Sequence, residues 1–236
     1  MSKINNVAFI FARGNSQGLP NKNILNFGGL PLIAHTIEFA KKTEFFDDIV
    51  VSTDSKKIAD IAISHDANVP FVRPSELASN DSAEILSWKH AINFYYNNIC
   101  NFSHFFSLPV TAPLKNEGDL LRGYQLFKKG YHDLVIAISK STRSPYFNMV
   151  KKINDDVSLY LDSLKINRRQ DAPHAYDIST LFYISTPQYI LKTDHIYEGK
   201  VGAVEVPEHR AVDIDTLYDY KLANLIFNNI SDFDNE

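Results

Sequence analysis

The run Val7-Ala8-Phe9-Ile10-Phe11-Ala12 is apolar at every position. A strand with one wet face alternates, so an unbroken run marks a strand covered on both faces, as in a parallel sheet sandwiched between helices. The stretches Asp48 to Thr53, His104 to Leu108, Leu134 to Ser139, Thr180 to Ser185 and Val201 to Val206 have strand length and similar character, and Val69 to Val72 is a shorter one. Helical spacing fills most of the intervals. Pro31 can occupy the first turn of a helix whose Leu32, Ile33, Thr36, Ile37 and Ala40 share a face. Asp54 or Ser55 can cap the next, with Ile58, Ile61, Ala62 and His65. Asp81-Ser82-Ala83-Glu84 has capping-box form and precedes Ile85, Trp88, Ile92, Tyr95 and Ile99. A further helix is expected from about Glu117 to Lys129, and a last one, begun by Thr216 and Asp219, carries Ala223 and Ile226. Parallel strands need crossover helices, so this alternation predicts an α/β fold, a Rossmann-like three-layer mostly parallel sheet with Val7 to Ala12 at its centre.

The rhythm fails between Arg143 and Asp177, where Phe147 to Ile153 and Val157 to Leu161 flank a hairpin turn at Asn154-Asp155-Asp156. The expected organisation is a core of residues 1–142 and 177–236 with a β-rich insert at 143–176, and a frayed acidic tail from Ser231 to Glu236. At 236 residues the chain is too short for two full-sized domains. Its net charge of −4 argues against an electrostatically driven grip on nucleic acid. Cys100 is the one cysteine, and neither a signal peptide nor a membrane span is written in the sequence, so no membrane association and a cytoplasmic setting are expected.

Glycine is scarce, yet Gly14, Gly18, Gly28 and Gly29 are four of the chain's nine. The loop Ala12-Arg13-Gly14-Asn15-Ser16-Gln17-Gly18-Leu19-Pro20-Asn21-Lys22-Asn23 follows the first strand, where open α/β sheets bind ligands. Gly14 and Gly18 would let backbone N–H groups approach an anion, with Arg13 and Lys22 supplying positive charge. The other reading is a surface turn with two solvated cations. The loop matches neither the P-loop nor the dinucleotide fingerprint. Asp213 and Asp215 stand at i and i+2 before the last helix, on one side of an extended segment. A hard divalent cation would relieve their repulsion, whereas the plainer role is helix capping. Arg168-Arg169 and Arg73 suit an anion or a solvated surface equally. No His, Cys or Glu set has zinc-ligand spacing, and no G-x-S-x-G elbow occurs.

Taken in order, the segments FARGNSQGLPNKN (11–23), VVSTDSKKIADIA (50–62), VPFVRPSELASND (69–81), LPVTAPLK (108–115), RRQDAPHAYDI (168–178) and VDIDTLYDYKLAN (212–224) resemble the acylneuraminate cytidylyltransferases, the CMP-sialic acid synthetases and relatives acting on other nonulosonic acids. The resemblance implies a fold of the nucleotide-diphospho-sugar transferase type and the reaction CTP + sugar acid → CMP-sugar + pyrophosphate. By position it implies that Ala12, Arg13, Gly14, Asn15, Ser16, Gly18, Lys22, Asn23 and Arg73 surround the nucleotide. It implies that Asp213 and Asp215 bind Mg²⁺, and that Arg169, Gln170 and Tyr183 line the sugar side. Lys22, Asp213 and Arg13 would carry the chemistry, and the insert would pair two subunits into a homodimer.

Three departures stand out. Gln17 replaces a frequent lysine, Pro109-Val110-Thr111-Ala112-Pro113-Leu114-Lys115 replaces Gln-Pro-Thr-Ser-Pro-Leu-Arg, and Ser179-Thr180-Leu181-Phe182-Tyr183 replaces Asn-Gly-Ala-Ile-Tyr. The last reshapes the expected sugar pocket, and together the three favour a related acid such as legionaminate or pseudaminate over N-acetylneuraminate. The rival readings are a CMP-3-deoxy-manno-octulosonate synthetase, a D-x-D glycosyltransferase and a non-catalytic nucleotide-binding module.

Overall fold

The computed structural model describes residues 4–16, 18–79, 81–161 and 168–234. The strands are β1 (Asn6–Phe11), β2 (Asn26–Phe27), β3 (Leu30–Pro31), β4 (Asp48–Ser52), β5 (His104–Ser107), β6 (Leu134–Lys140), β7 (Val150–Ile153), β8 (Asp156–Leu159), β9 (Tyr176–Ser185) and β10 (Val201–Glu205). The α-helices are α1 (Leu32–Lys42), α2 (Lys56–Ser64), α3 (Glu84–Asn98), α4 (Glu117–Phe127), α5 (Pro187–Lys192), α6 (Leu217–Asn228) and α7 (Ile230–Asp234). Six strands form one sheet in the order β10-β6-β9-β5-β1-β4. β1 runs parallel to β4 and β5, and β10 parallel to β6, while β9 is antiparallel to both neighbours.

The unbroken apolar runs have the predicted consequence. Along β1, Ala8 and Ile10 join a core against α1, α2, α4 and α6, and Val7 and Phe9 join a second core against α3 and α5. The molecule is therefore an α/β three-layer structure. In the second core Trp88 is buried, its ring tilted against Phe11, Phe105 and Tyr183 at 6.2, 5.3 and 5.3 Å between centroids. Burying side chains of this size stabilises the fold by roughly 2–3 kcal/mol each. The packing also fixes Phe11 and Tyr183, which reach the functional edge of the sheet.

Several expectations need correction. Residues Val69 to Val72 form no strand, only isolated bridges, Asn68 to Val50 and Val72 to Thr53. β1 is interior but lies one strand from the β4 edge rather than at the centre. α3 begins at Glu84 with Ala83 as its cap and no side-chain capping bond, because Glu84 instead accepts from its own helix's Trp88 Nε1 at 3.2 Å. Residues 230–234 of the tail continue as α7. α2 is capped by Ser55, and α6 has the full Thr216–Asp219 capping box. The insert contains the β7–β8 hairpin, turned at Asn154 and Asp155 with Asn154 at φ 55°. Gly28 and Gly29, at φ 53° and 94°, turn β2 into β3 just before α1.

Candidate active site

The carboxyl ends of β1, β4 and β5 open into a cleft of about 550 Å³. One wall is the loop after β1. Ala12 extends the ladder by donating its N–H to Ser52 O at 3.0 Å, and the chain then leaves the sheet. Gly14 donates its N–H to Asp54 Oδ1 at 2.7 Å, and Asn23 Nδ2 donates to Arg13 O at 2.9 Å. The loop is thus tied at both ends, and Arg13, Ser16, Gly18, Lys22 and Asn23 border the cleft.

Three residues of the predicted nucleotide set, Ala12, Gly14 and Asn15, do not border the cleft. The Gly14 amide is occupied by Asp54, and a Cβ there would lie 3.1 Å from Ser55 Cβ, so Gly14 serves loop closure onto β4. Asn15 is exposed and, like Ala12, does not border the cleft, and Gln17 lies outside the described residues. Gly18 has a sharper requirement. A Cβ at Gly18 would stand 2.4 Å from the carbonyl oxygen of Asp215, so only glycine lets the loop touch the D-x-D segment.

That contact brings the two ends of the sequence together. Lys22 Nζ donates to Asp215 Oδ1 at 2.7 Å, with Asp215 68% exposed and Lys22 12%. The Ile214 N–H between the two aspartates donates to Thr111 O at 2.8 Å, fastening the segment to the turn after β5. Upstream, Arg210 grips the buried Asp119 of α4 through two contacts, 2.8 and 3.2 Å, and Arg122 adds a third at 2.8 Å. Such paired, charge-assisted bonds hold the approach to Asp213 rigid. The aspartates do not face the cleft alike: Asp215 borders it, whereas Asp213 sits deeper, its Oδ1 buried with no hydrogen-bond partner among the described residues.

Arg73, 5% exposed, donates Nε to Ser52 Oγ at 3.0 Å and Nη2 to Ser52 O, and its guanidinium lies 5.7 Å from the Phe11 ring centroid. Burial pushes it down to about 10, partly offset by Asp54 and Glu84, so it remains a cation at neutral pH. Across the cleft, Glu84 presents an exposed edge, yet its carboxyl is packed against the wall. Burial raises it above the usual carboxylate range, opposed by the Trp88 bond and Arg73 and reinforced by Asp213. Tyr183 is buried and its phenol is pushed up, first by desolvation and then by Glu84. Ser82 and Thr180 border the same space, and the hydroxyl oxygen of each is buried without a hydrogen-bond partner among the described residues.

Of the residues expected on the sugar side, Tyr183 borders this cleft and Gln170 does not. Gln170 borders a separate groove of about 340 Å³ at the base of the insert, with Lys140, Arg143 and His174. The Arg169 side chain lies outside the described residues. Sequence reasoning missed Lys115. Its ammonium, buried behind the Pro109–Ala112 turn, donates to Pro109 O at 2.6 Å, to Ala112 O and to Thr36 Oγ1 at 3.5 Å. Burial pushes it down to about 7, with Asp213 opposing. The signal was present as a lysine in place of the usual arginine, but its contact with the turn depends on the fold.

Among the described residues no three His, Cys, Asp or Glu side chains cluster as a metal site. Two carboxylates, one with an unsatisfied buried oxygen, fit Mg²⁺, which is held by one or two carboxylates and completed by substrate phosphates and water.

A strand-loop-helix cleft of this kind, with cations from the first loop set against paired carboxylates before the last helix, defines a nucleotidyltransferase of the α/β class. The family model for cytidylyltransferases matches residues 7–202, and the chain belongs to that family. It is 30% identical to the pseudaminic acid cytidylyltransferase of Campylobacter jejuni, covering 94% of this chain and 96% of that one. It is 32% identical to the CMP-N,N'-diacetyllegionaminic acid synthase of the same species, covering 92% of each. Among solved structures, CMP:2-keto-3-deoxy-manno-octonic acid synthetase complexed with CTP superposes with a TM-score of 0.70 at 13% identity, over 95% of this chain and 99% of that one, a likeness of fold.

Proposed function

We propose that the protein transfers CMP from CTP to the anomeric hydroxyl of a nonulosonic acid of the pseudaminate or legionaminate type, releasing pyrophosphate. The observation that carries this reading is the meeting of Lys22 and Asp215 in a cleft also bordered by Arg13 and Arg73. The pairing of sequence relatives with pseudaminic and legionaminic acids favours these acceptors over the octulosonate.

The roles follow from charge and place. Arg13, Ser16 and Lys22 hold the triphosphate, and Arg73 lies on the β4 side, beside the nucleoside. The acceptor occupies the opposite side of the cleft, bounded by Tyr183 and Thr180. Its hydroxyl attacks the α-phosphorus in line as the α–β phosphoanhydride bond breaks, and the electron pair leaves on pyrophosphate. Positioning and fixed charge supply most of such a rate enhancement. Asp213, whose Oδ1 has no partner among the described residues, takes the hydroxyl proton. Mg²⁺ held at Asp213 and Asp215 would neutralise phosphate charge.

The reading includes a homodimer and a cytoplasmic setting. Support for the dimer comes from the insert, where Phe147, Met149, Val150, Ile153, Val157 and Tyr160 are all exposed. An apolar surface of this kind suits a second copy of the chain. Among the described residues no helix is long and apolar enough to cross a membrane.

The test is pyrophosphate release from CTP and Mg²⁺ with a panel of eight- and nine-carbon keto-sugar acids. Release with pseudaminate or legionaminate is expected, lost in Asp215→Ala with the fold intact. Release with the octulosonate alone would transfer the assignment to that rival. CTP binding without release from any acid would support the non-catalytic module.

A further inference from the structure

β9 is not a regular strand. Along β6, Ile136 pairs with Tyr183, yet the next residue, Ala137, pairs with Ser179, leaving Thr180, Leu181 and Phe182 opposite no β6 residue. A bulge changes which face each following side chain takes. In a regular strand Thr180 and Tyr183, three apart, would point to opposite faces. Here both border the cleft, while the consecutive Leu181 and Phe182 both enter the core against α4. α4 is shaped for this. A Cβ at Gly123 would lie 2.6 Å from Phe182 Cε2, so the absence of a side chain at Gly123 admits the Phe182 ring.

The bulge lies where an acceptor would. β5 ends at Ser107, paired with Tyr183, so the part of β9 preceding Tyr183 projects past the carboxyl end of β5. The cations that suit the triphosphate come from the loop after β1 and from Arg73, on the far side of the cleft. Thr180 Oγ1 is buried, with no hydrogen-bond partner among the described residues. A hydroxyl in that condition is a deficit which a bound ligand can relieve, since it can donate one hydrogen bond and accept two.

We propose that Thr180, turned into the cleft beside Tyr183 by the bulge of β9, is a specificity-determining contact whose hydroxyl binds a polar substituent, hydroxyl or acylamido, of the sugar acid. The inference rests on the proposed cytidylyl transfer to such an acid. A site that hydrogen-bonds a substrate group discriminates more strongly than an apolar pocket, because the wrong partner leaves buried polar atoms unpaired.

The test uses Thr180→Val, nearly isosteric and without the hydroxyl, and Thr180→Ser, which retains it. For the best acid of the panel, Thr180→Val is expected to raise the sugar-acid KM about 10-fold or more. Its KM for CTP should stay within about 2-fold, and Thr180→Ser should restore most of the loss. CTP binding by calorimetry reports on folding, and a Thr180→Val that fails to fold is replaced by Thr180→Ala compared with Thr180→Ser. An unchanged sugar-acid KM in a folded hydroxyl-free variant overturns the contact, as does an equal rise in both KM values. Turnover of no sugar acid by the unaltered protein overturns the reaction itself and this contact with it, an outcome distinct from the other two.

Discussion

Lys22 is paired with the carboxylate that Mg²⁺ would use. The side chains meet at 2.7 Å. Adding a Mg²⁺–oxygen distance of about 2.1 Å gives a largest separation of about 4.8 Å between the ammonium and an ion bound through the same oxygen. At that distance a unit charge repels a divalent ion by about 1.7 kcal/mol in the dielectric of water. The water value is a lower bound, because Asp215 is 68% exposed but Lys22 only 12%. Screening at physiological ionic strength, with a Debye length of about 8 Å, reduces the repulsion to about 1 kcal/mol. Lys22→Met should therefore bind Mn²⁺, a spectroscopic substitute for Mg²⁺, at least about 5-fold more tightly without nucleotide. The same variant should lose turnover by orders of magnitude, since its charge no longer acts on the transferring phosphate. Paramagnetic resonance or calorimetric titration of Mn²⁺ reads the first effect. Unchanged or weaker Mn²⁺ binding in folded Lys22→Met would refute the idea that Lys22 competes with the metal for Asp215. Opposite signs for metal affinity and rate also separate this account from a general loss of structure.

Two further outcomes follow from close contacts and burial. Gly18→Ala would force a Cβ to within 2.4 Å of Asp215 O, so loop or aspartate must move by several tenths of an ångström. A displacement of about 1 Å at reacting groups costs on the order of 100-fold in rate, and steady-state kinetics of the folded variant should show that loss. Lys115, pushed down to about 7 in the folded chain, binds its extra proton less readily than the unfolded chain does from there to about 10.4. Its contribution to stability is therefore full above about 10.4 and is lost as pH falls through about 7, a change on the order of 4 kcal/mol. Urea unfolding of the protein and Lys115→Met at several pH values measures the difference. A stability difference that stays flat between pH 7 and 10 would overturn this account of Lys115.

The layered fold was legible because burial on both faces leaves a local signature, as in Val7 to Ala12. The same rule explains where reading failed. Val69 to Val72 has strand composition, but its backbone finds only bridge partners beside β4. Composition reports burial and does not report pairing. Asp81 to Glu84 satisfied a capping pattern, yet Glu84 is drawn to Trp88 Nε1, a contact made along the helix rather than at its cap. In the site, charge types and motif order located Lys22, Asp215 and Arg73. The sequence could not show that Gly14 spends its amide on Asp54, or that Asp213 lies deeper than Asp215, because those facts depend on contacts between distant segments. The β9 irregularity was invisible for a related reason: a run of five side chains from Ser179 to Tyr183 carries no local mark of the three that go unpaired.

The reversed direction of β9 has a consequence for how such a protein can change its acceptor. In an all-parallel sheet, side chains at the functional edge follow the ends of strands, each on a separate loop. An antiparallel strand places its beginning at that edge, so Thr180 and Tyr183 continue directly from the insert that ends where β9 starts. The nucleotide loop belongs instead to the first 23 residues, tied to β4 through Asp54. On the proposed roles, the loop that grips the triphosphate and the acceptor contacts Thr180 and Tyr183 occupy separate stretches of the chain. On the same roles, exchanging residues 140–185 between relatives is expected to change the acceptor while CTP binding is kept.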